Sequence, residues 1–88
     1  MGEYKIIKIT DRDGNDRTDG RYPKRIGRIC NKPFAKLGLS MEIEYVAEAD
    51  GTPYLGKFLH TSNVIQVIEE GINLTVTTRN SVYYFEKI

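Results

Sequence analysis

The feature that most constrains this chain is a series of short runs in which apolar and polar residues alternate, each bounded by turn residues. Alternation places apolar side chains on one face of a β-strand and polar side chains on the other. In Leu39–Val46, for example, Met41, Ile43 and Tyr45 share one face, and the positions between them include two glutamates. No apolar run approaches the ~20 residues that a membrane helix needs. The pattern therefore predicts a mostly-β domain with one half-buried face per strand.

The runs predict a single domain over residues 1–88. In chain order, the candidate strands are Tyr4–Thr10, Ile26–Cys30, Leu39–Val46, Tyr54–His60, Val64–Ile68, Ile72–Thr78 and Val82–Ile88. Thr61-Ser62-Asn63 is expected to interrupt the pattern as a tight turn or a short helical turn, and Gly27 indicates a bulge or a close backbone approach. We expect a small SH3-like barrel of five to six short antiparallel strands, with the first run as an extra N-terminal strand. An OB-like barrel is the alternative.

The last hairpin has a predicted register. If Asn80 and Ser81 form a two-residue loop, then Val76 lies opposite Phe85 and both side chains point into the core. The agreement between loop length and apolar pairing supports this arrangement.

Part of the C-terminal half carries a resemblance. His60–Ile68 has Thr-Ser before an apolar strand, and Leu74–Tyr83 contains a Thr-x-Asn-Ser-x-Tyr hairpin. Over roughly the last third of the chain, these features resemble short uncharacterised proteins of Gram-positive bacteria and their phages. The resemblance implies a small SH3-like β-barrel carried by a mobile element, and it assigns no activity and no functional residues.

Residues 11–21 form a polar loop that is expected to be mobile, since Asp11–Gly20 contains no apolar residue. Its first acidic residues are similar to a calcium loop, but Asp16 stands where such a loop needs glycine, and Tyr22 where it needs glutamate. The sequence therefore predicts no metal site.

The residues for catalysis are few. Cys30 and His60 are the obvious nucleophile and base, but a lone cysteine at the end of an apolar strand is typical of a buried hydrophobe. The acidic residues Glu42, Glu44, Glu48 and Asp50 are typical of a solvated face that blocks edge pairing. We expect no enzyme and no cofactor. One cysteine excludes an internal disulfide, and no signal-peptide core precedes the first strand, so a cytoplasmic location without membrane contact is expected.

Charge asymmetry is the strongest functional signal. Between residues 17 and 36, seven Lys and Arg side chains stand against one Asp, although the net charge of the whole chain is only +1. Guanidinium and ammonium groups beside aromatic rings are what a phosphate-bearing ligand needs. The candidate anion ligands are Arg21, Lys24, Arg25, Arg28 and Lys32. The candidate stacking residues are Tyr22 and Phe34. The predicted function is binding of nucleic acid or a nucleotide-like anion.

Two other interpretations stay open from the sequence. The basic side chains could pair with the acidic strand Leu39–Val46 as ordinary cross-strand ion pairs. Alternatively, the chain could be a self-assembling or protein-binding module, as a homodimer or on a host component. The aromatic residues proposed for that contact face are Tyr54, Phe58, Tyr83 and Tyr84.

Overall fold

Alternating apolar residues close six antiparallel strands into a barrel in the computed structural model, which describes residues 2–88. The elements are β1 (Glu3–Thr10), the one-turn helix α1 (Tyr22–Arg25), β2 (Ile29–Asn31), β3 (Ser40–Ala47), β4 (Phe58–Glu70), β5 (Asn73–Thr78) and β6 (Val82–Lys87). The prediction of a small, mostly-β barrel is confirmed. No helix within residues 2–88 is long and apolar enough to cross a membrane.

The strand order is sequential, and the barrel closes where β6 pairs with β1. A sequential order differs from the Greek-key order of an OB-fold. It agrees with the meander that the SH3-like prediction requires. The N-terminal strand, however, is not an extra strand. β1 pairs with both β2 and β6, so it is the strand that completes the barrel.

The core receives side chains from every strand. On β3, Met41, Ile43 and Tyr45 point inward and are almost fully buried, as the alternation predicts. The remaining core residues are Tyr4, Ile6, Ile9, Cys30, Val64, Leu74, Val76, Tyr83 and Phe85. Removing this apolar surface from water is the main force that closes the barrel.

Strand β4 differs from its prediction because Thr61-Ser62-Asn63 does not form a turn. The strand runs unbroken through these residues and changes neighbours there, pairing with β3 up to Asn63 and with β5 from Val64 onward. The Thr61 hydroxyl accepts a 3.1 Å hydrogen bond from the Met41 amide and donates a 2.8 Å bond to the Ser62 carbonyl. Polar residues therefore interrupt the apolar pattern at the point where β4 changes its partner strand from β3 to β5.

The β5–β6 hairpin is shifted by two residues from the predicted register. Val76 lies opposite Tyr83, not Phe85. The Thr78 amide donates a 2.8 Å bond to the Ser81 carbonyl, and the Thr78 hydroxyl accepts a 3.1 Å bond from the Ser81 amide. These bonds pair Thr78 with Ser81, so the two-residue loop consists of Arg79 and Asn80 and not of Asn80 and Ser81. A shift of two residues preserves the facing of every side chain, so Val76 and Phe85 are still buried.

The second predicted strand begins late, because residues 22–25 form α1 and β2 starts only at Ile29. Pro23 occupies the first turn of the helix, where its fixed φ is favourable and its missing N–H costs nothing. The close approach predicted at Gly27 is confirmed. Its φ is +89°, and a Cβ there would lie 2.8 Å from the Cβ of Ala49.

The polar loop after β1 is a hydrogen-bonded turn. The Asp11 carboxylate accepts bonds of 2.9 and 3.0 Å from the amides of Asp13 and Asn15. These backbone donors, Asn15 first, hold the pKa of Asp11 below its ordinary value. Further along, the Arg17 guanidinium donates a 2.8 Å bond to the Ser81 hydroxyl. The loop is thereby tied to the β5–β6 connection, and its mobility stays a prediction.

Candidate anion-binding site

A concave pocket of about 330 Å³ lies between α1, the residues before β2 and the β3–β4 hairpin. We call it the basic pocket. Its lining residues are Arg21, Lys24, Arg25, Arg28, Tyr45, Tyr54, Lys57, Phe58 and Leu59. Five of these are cationic and none is acidic. The pocket therefore concentrates positive charge over an aromatic and apolar floor.

The short helix α1 places three of the cations. Arg21 immediately precedes the helix. Lys24 and Arg25 lie within it, three and four positions after Arg21, which puts all three on one side of a helical turn. Arg25 also donates a 3.3 Å hydrogen bond from Nη1 to the Tyr83 hydroxyl, which anchors its guanidinium to the barrel. The local turn therefore converts a run of basic sequence into a convergent cluster.

Arg28 is held in the floor of the pocket by contacts with the rest of the barrel. Its guanidinium lies over the rings of Tyr45 and Tyr54, with Cζ 4.9 and 4.6 Å from the two ring centroids. Its Nε donates a 2.8 Å bond to Glu48, and its side chain is only 13% exposed. Cation–π contact and ion pairing both hold this charge in place. Arg28 therefore shapes the floor, while the other cations provide the accessible charge.

Tyr45 has a buried hydroxyl in this floor. The residue is 3% exposed, and its Oη forms no hydrogen bond within residues 2–88. Burial raises the pKa of Tyr45, and the neighbouring guanidinium of Arg28 opposes that change. An unsatisfied buried polar atom is uncommon in folded proteins and costs free energy. The hydroxyl is thus enclosed in the floor beside the Arg28 guanidinium.

The start of β4 and the turn before it supply the side of the pocket that the sequence interpretation missed. The Tyr45 amide donates a 3.0 Å bond to the Lys57 carbonyl, which sets Lys57 beside the pocket floor. Phe58 follows and is 51% exposed, so a ring face is open to a ligand. The signal for this placement was the Asp-Gly turn at residues 50–51, which folds this segment back along β3.

The structure brings together four of the five predicted anion ligands and separates the rest of the predicted set. Lys32 lies elsewhere, with its Nζ 3.3 Å from Glu69. Phe34 is exposed, but its backbone pairs with Glu42 outside the basic pocket. Tyr22 lies beside the pocket, where Arg17 and Arg25 approach its ring at 4.1 and 4.8 Å. Lys32 and Phe34 therefore lie outside the basic pocket, since they follow β2 away from it.

The acidic strand does not neutralise the basic segment. Glu42 lies 3.6 Å from His60, and Glu44 accepts a 3.1 Å bond from Asn31. Among residues 2–88, no Lys or Arg forms a salt bridge with either glutamate. The basic side chains therefore do not pair with the glutamates of this strand, although Arg28 and Lys32 pair with Glu48 and Glu69 outside it.

The aromatic residues proposed as a contact face do not form one surface. Tyr54 and Phe58 line the basic pocket, whereas Tyr83 is 2% exposed and belongs to the core. Tyr84 lies under the ammonium group of Lys8. The aromatic contact face was therefore a wrong grouping.

Cys30 and His60 are not placed as a nucleophile and its base. Cys30 is fully buried on β2, and His60 lies on β4, with β3 between the two strands. Burial raises the pKa of the Cys30 thiol to about 12. A thiol in this state does not supply the thiolate that cysteine catalysis uses.

Comparison with known proteins found no matching family model, no matching curated protein and no matching solved structure. The resemblance of the C-terminal third to proteins of Gram-positive bacteria and phages stays a prediction. Function is inferred below from the chemistry of the basic pocket.

Proposed function

We propose that this barrel binds a phosphate-bearing anion, either a nucleotide-like molecule or nucleic acid, and catalyses no reaction on it. The observation that carries the proposal is unneutralised charge in a concave site. Lys24, Arg25 and Lys57 form no salt bridge within residues 2–88, nor does Arg21. Cations without a salt bridge within residues 2–88 also occur elsewhere, for example Lys5 and Lys36, so the distinctive feature is that four of them converge on one pocket. Like charges that converge repel one another, and a bound anion relieves that repulsion.

The lining suits phosphate in particular. Guanidinium groups offer paired N–H donors that match two oxygens of a phosphate, and lysine adds a mobile point charge. Phe58 offers an exposed ring on which a nucleobase can stack. Charge, donor and stacking platform are thus combined within one pocket.

The test is calorimetric titration with inorganic pyrophosphate and with ATP at about 50 mM and about 200 mM salt. The double variant Lys24→Glu/Lys57→Glu removes two accessible cations from the pocket. It is expected to weaken binding by at least about tenfold, since each phosphate contact contributes to affinity. Binding by the parent chain is expected to weaken as salt rises.

The matched control is Lys32→Glu/Lys36→Glu. It makes the same change in net charge within the basic segment, but outside the pocket. Its affinity for both ligands is expected to stay within about threefold of that of the parent chain, a change that the general electrostatic effect explains. Equal losses in the two double variants would assign binding to net charge and not to the pocket. No heat with either ligand at low salt would refute the proposal.

A second candidate function is self-association or binding of a protein partner. It is favoured by apolar side chains exposed along β4, where Ile65, Val67 and Ile68 are 45%, 38% and 42% exposed. Exposed apolar surface is a common feature of protein contacts. Light scattering over a concentration series tests this candidate. A mass that rises with concentration and falls to that of a monomer in Ile68→Glu supports it, and a constant monomer mass excludes self-association.

A further inference from the structure

The basic pocket is continuous with two further depressions. A depression of about 150 Å³ shares Arg25 and Leu59 with the basic pocket. A third, of about 380 Å³, shares Ser62 and Asn80 with the second. We call the three together the polar groove. It runs along the first half of β4, from Phe58 to Asn63.

The groove exists because β4 changes partners. Residues 58–63 pair with β3 on one side, and β5 joins β4 only from Val64 onward. In the part of the barrel that the structure describes, no strand pairs with the other edge of residues 58–63. The 78–81 connection closes the far end, where the Arg79 amide donates a 3.0 Å bond to the Asn63 carbonyl. The partner change thus leaves a trough beside one strand edge.

The charged side chains that line the groove are all basic. No Asp or Glu lines any of its three parts. By contrast, the depressions elsewhere on the barrel include Glu69 in one and Asp16 in another. Between the basic pocket and Arg79 at the far end, the lining is mainly hydroxyl and amide groups, which can donate to phosphate oxygens or to bases. The groups free to donate are those of Ser62, Asn63 and Asn80. Thr78 and Ser81 are buried and bonded to each other, and the Thr61 hydroxyl donates to the Ser62 carbonyl.

The length of the groove exceeds one nucleotide. From Phe58 to Asn63 the strand advances ~17 Å, at about 3.3 Å per residue. A mononucleotide held in the basic pocket would leave the Arg79 end empty. A ligand that matches the whole groove carries anionic charge at repeated intervals and exposes bases that can stack on Phe58. Bases in a duplex stack on one another, so a single strand fits this requirement better.

We propose that the polar groove binds a single strand of nucleic acid, which enters at the basic pocket and ends beside Arg79. This rests on the proposed function, since the same basic pocket holds the first phosphate. The strand follows β4, with a base on Phe58 and its backbone directed toward Arg79. The hydroxyl and amide groups between them contact the sugar–phosphate chain without reading the sequence.

The test is fluorescence anisotropy with labelled oligothymidylates from the dinucleotide to the dodecanucleotide, at about 50 mM and about 200 mM salt. Affinity is expected to rise at least about tenfold from the dinucleotide to the hexanucleotide, and then to level off once the groove is filled. Arg79→Glu is expected to weaken hexanucleotide binding by about tenfold and to reduce the salt slope by at least ~0.7. ATP binding to Arg79→Glu is expected to stay within about twofold of the parent chain, because Arg79 lies outside the basic pocket.

One control variant and one further groove variant test whether the effect is specific to the groove. Lys5→Glu makes the same charge change at an exposed β1 position outside the groove, and it is expected to leave hexanucleotide affinity nearly unchanged. Asn63→Asp places a carboxylate at the far end and is expected to weaken hexanucleotide binding as Arg79→Glu does. Circular dichroism on each variant confirms that the barrel is folded.

The contrary outcomes separate this inference from the proposed function. ATP binding with no gain from longer oligonucleotides would overturn the groove and leave the basic pocket intact. Duplex DNA that competes as strongly as the single strand would overturn the single-strand assignment. No binding of ATP, pyrophosphate or any oligonucleotide would overturn both.

Discussion

The Nε of Arg28 donates a 2.8 Å hydrogen bond to Oε1 of Glu48, joining the residue before β2 to the residue after β3. The Arg28 side chain is 13% exposed and that of Glu48 is 33% exposed, so the pair is partly shielded from water. This bond holds the guanidinium over Tyr45 and Tyr54. The floor of the basic pocket therefore depends on a contact between two loops.

Replacing Glu48 is expected to destabilise the barrel. Glu48→Ala leaves a shielded guanidinium without its carboxylate, and we expect a loss of about 1–3 kcal/mol in the free energy of unfolding. Glu69→Ala is the matched control, since it breaks the Lys32 pair, whose side chains are both about half exposed. It is expected to cost less than about 1 kcal/mol. Urea unfolding measures both values, and equal losses would contradict a special role for Arg28–Glu48.

Removing the Tyr45 hydroxyl is expected to leave both stability and ligand binding intact. Tyr45→Phe deletes a buried polar atom that has no partner within residues 2–88, so the free energy of unfolding is expected to be unchanged or to rise by up to about 1 kcal/mol. Pyrophosphate affinity is expected to be nearly unchanged, because the hydroxyl is enclosed in the pocket floor. Tyr83→Phe is the control, since that hydroxyl accepts the bond from Arg25 and its removal is expected to cost about 1 kcal/mol. Thermal unfolding and calorimetry measure the two effects. A clear loss of stability in Tyr45→Phe would show that its hydroxyl has a partner.

The Gly27–Ala49 contact is expected to make one glycine irreplaceable. Gly27 and Gly51 have φ near +90°, so alanine is strained at both positions. Only at Gly27 would the new Cβ meet another atom, the Ala49 Cβ at 2.8 Å. Gly51→Ala is expected to cost about 1–2 kcal/mol from backbone strain, and Gly27→Ala at least ~1 kcal/mol more from overpacking. Chemical denaturation compares them, and Ala49→Gly is expected to restore only the extra loss at Gly27. An equal cost at both sites would contradict the contact.

The buried thiol of Cys30 is expected to make the barrel sensitive to alkali. Burial raises its pKa from 9.0 to about 12, so the unfolded chain releases the thiol proton at lower pH than the folded chain does. The stabilisation is therefore complete below pH ~9 and is lost progressively between pH ~9 and ~12. By pH ~10 the loss is expected to be about 1 kcal/mol. Burial also raises the pKa of Tyr83 to about 12, which adds to the loss above its ordinary value of 10.

Urea unfolding from pH ~7 to pH ~10.5 measures this effect. Cys30→Ala is expected to be less stable near neutrality, but to lose less stability between pH ~9 and ~10. Native Cys30 is also expected to resist thiol reagents until the chain unfolds, since the side chain is fully buried. Rapid labelling of the folded protein would contradict this.

The predictions that held are those that depend on neighbouring residues. The two-residue period of β3 assigned Met41, Ile43 and Tyr45 to the core, because side chains on a strand alternate whatever the partner strand is. The hairpin after β5 was placed correctly in the chain, but its register was wrong by two residues. Hydrogen bonds between Thr78 and Ser81 place the two-residue loop at Arg79 and Asn80, one position earlier than predicted. A register shift of two residues keeps every apolar side chain on the same face, so the apolar pattern does not distinguish the two registers.

The candidate site was predictable only in part, for the same reason. Arg21, Lys24 and Arg25 are close in sequence and share a helical turn, so a basic run was enough to find them. Lys57 is distant in sequence, and only the return of β4 along β3 brings it to Tyr45. Lys32 belongs to the same basic run, but β2 carries it toward Glu69.

Residue type and local spacing were enough to predict the β character of this chain, the inward face of its strands and the position of its main positive charge. Three features became evident only in the folded barrel: β1 completes it, β4 passes from one partner strand to another, and the cations converge beside the open edge of β4. These features depend on which strands meet when the barrel closes, and that choice is made by contacts between residues far apart in the chain.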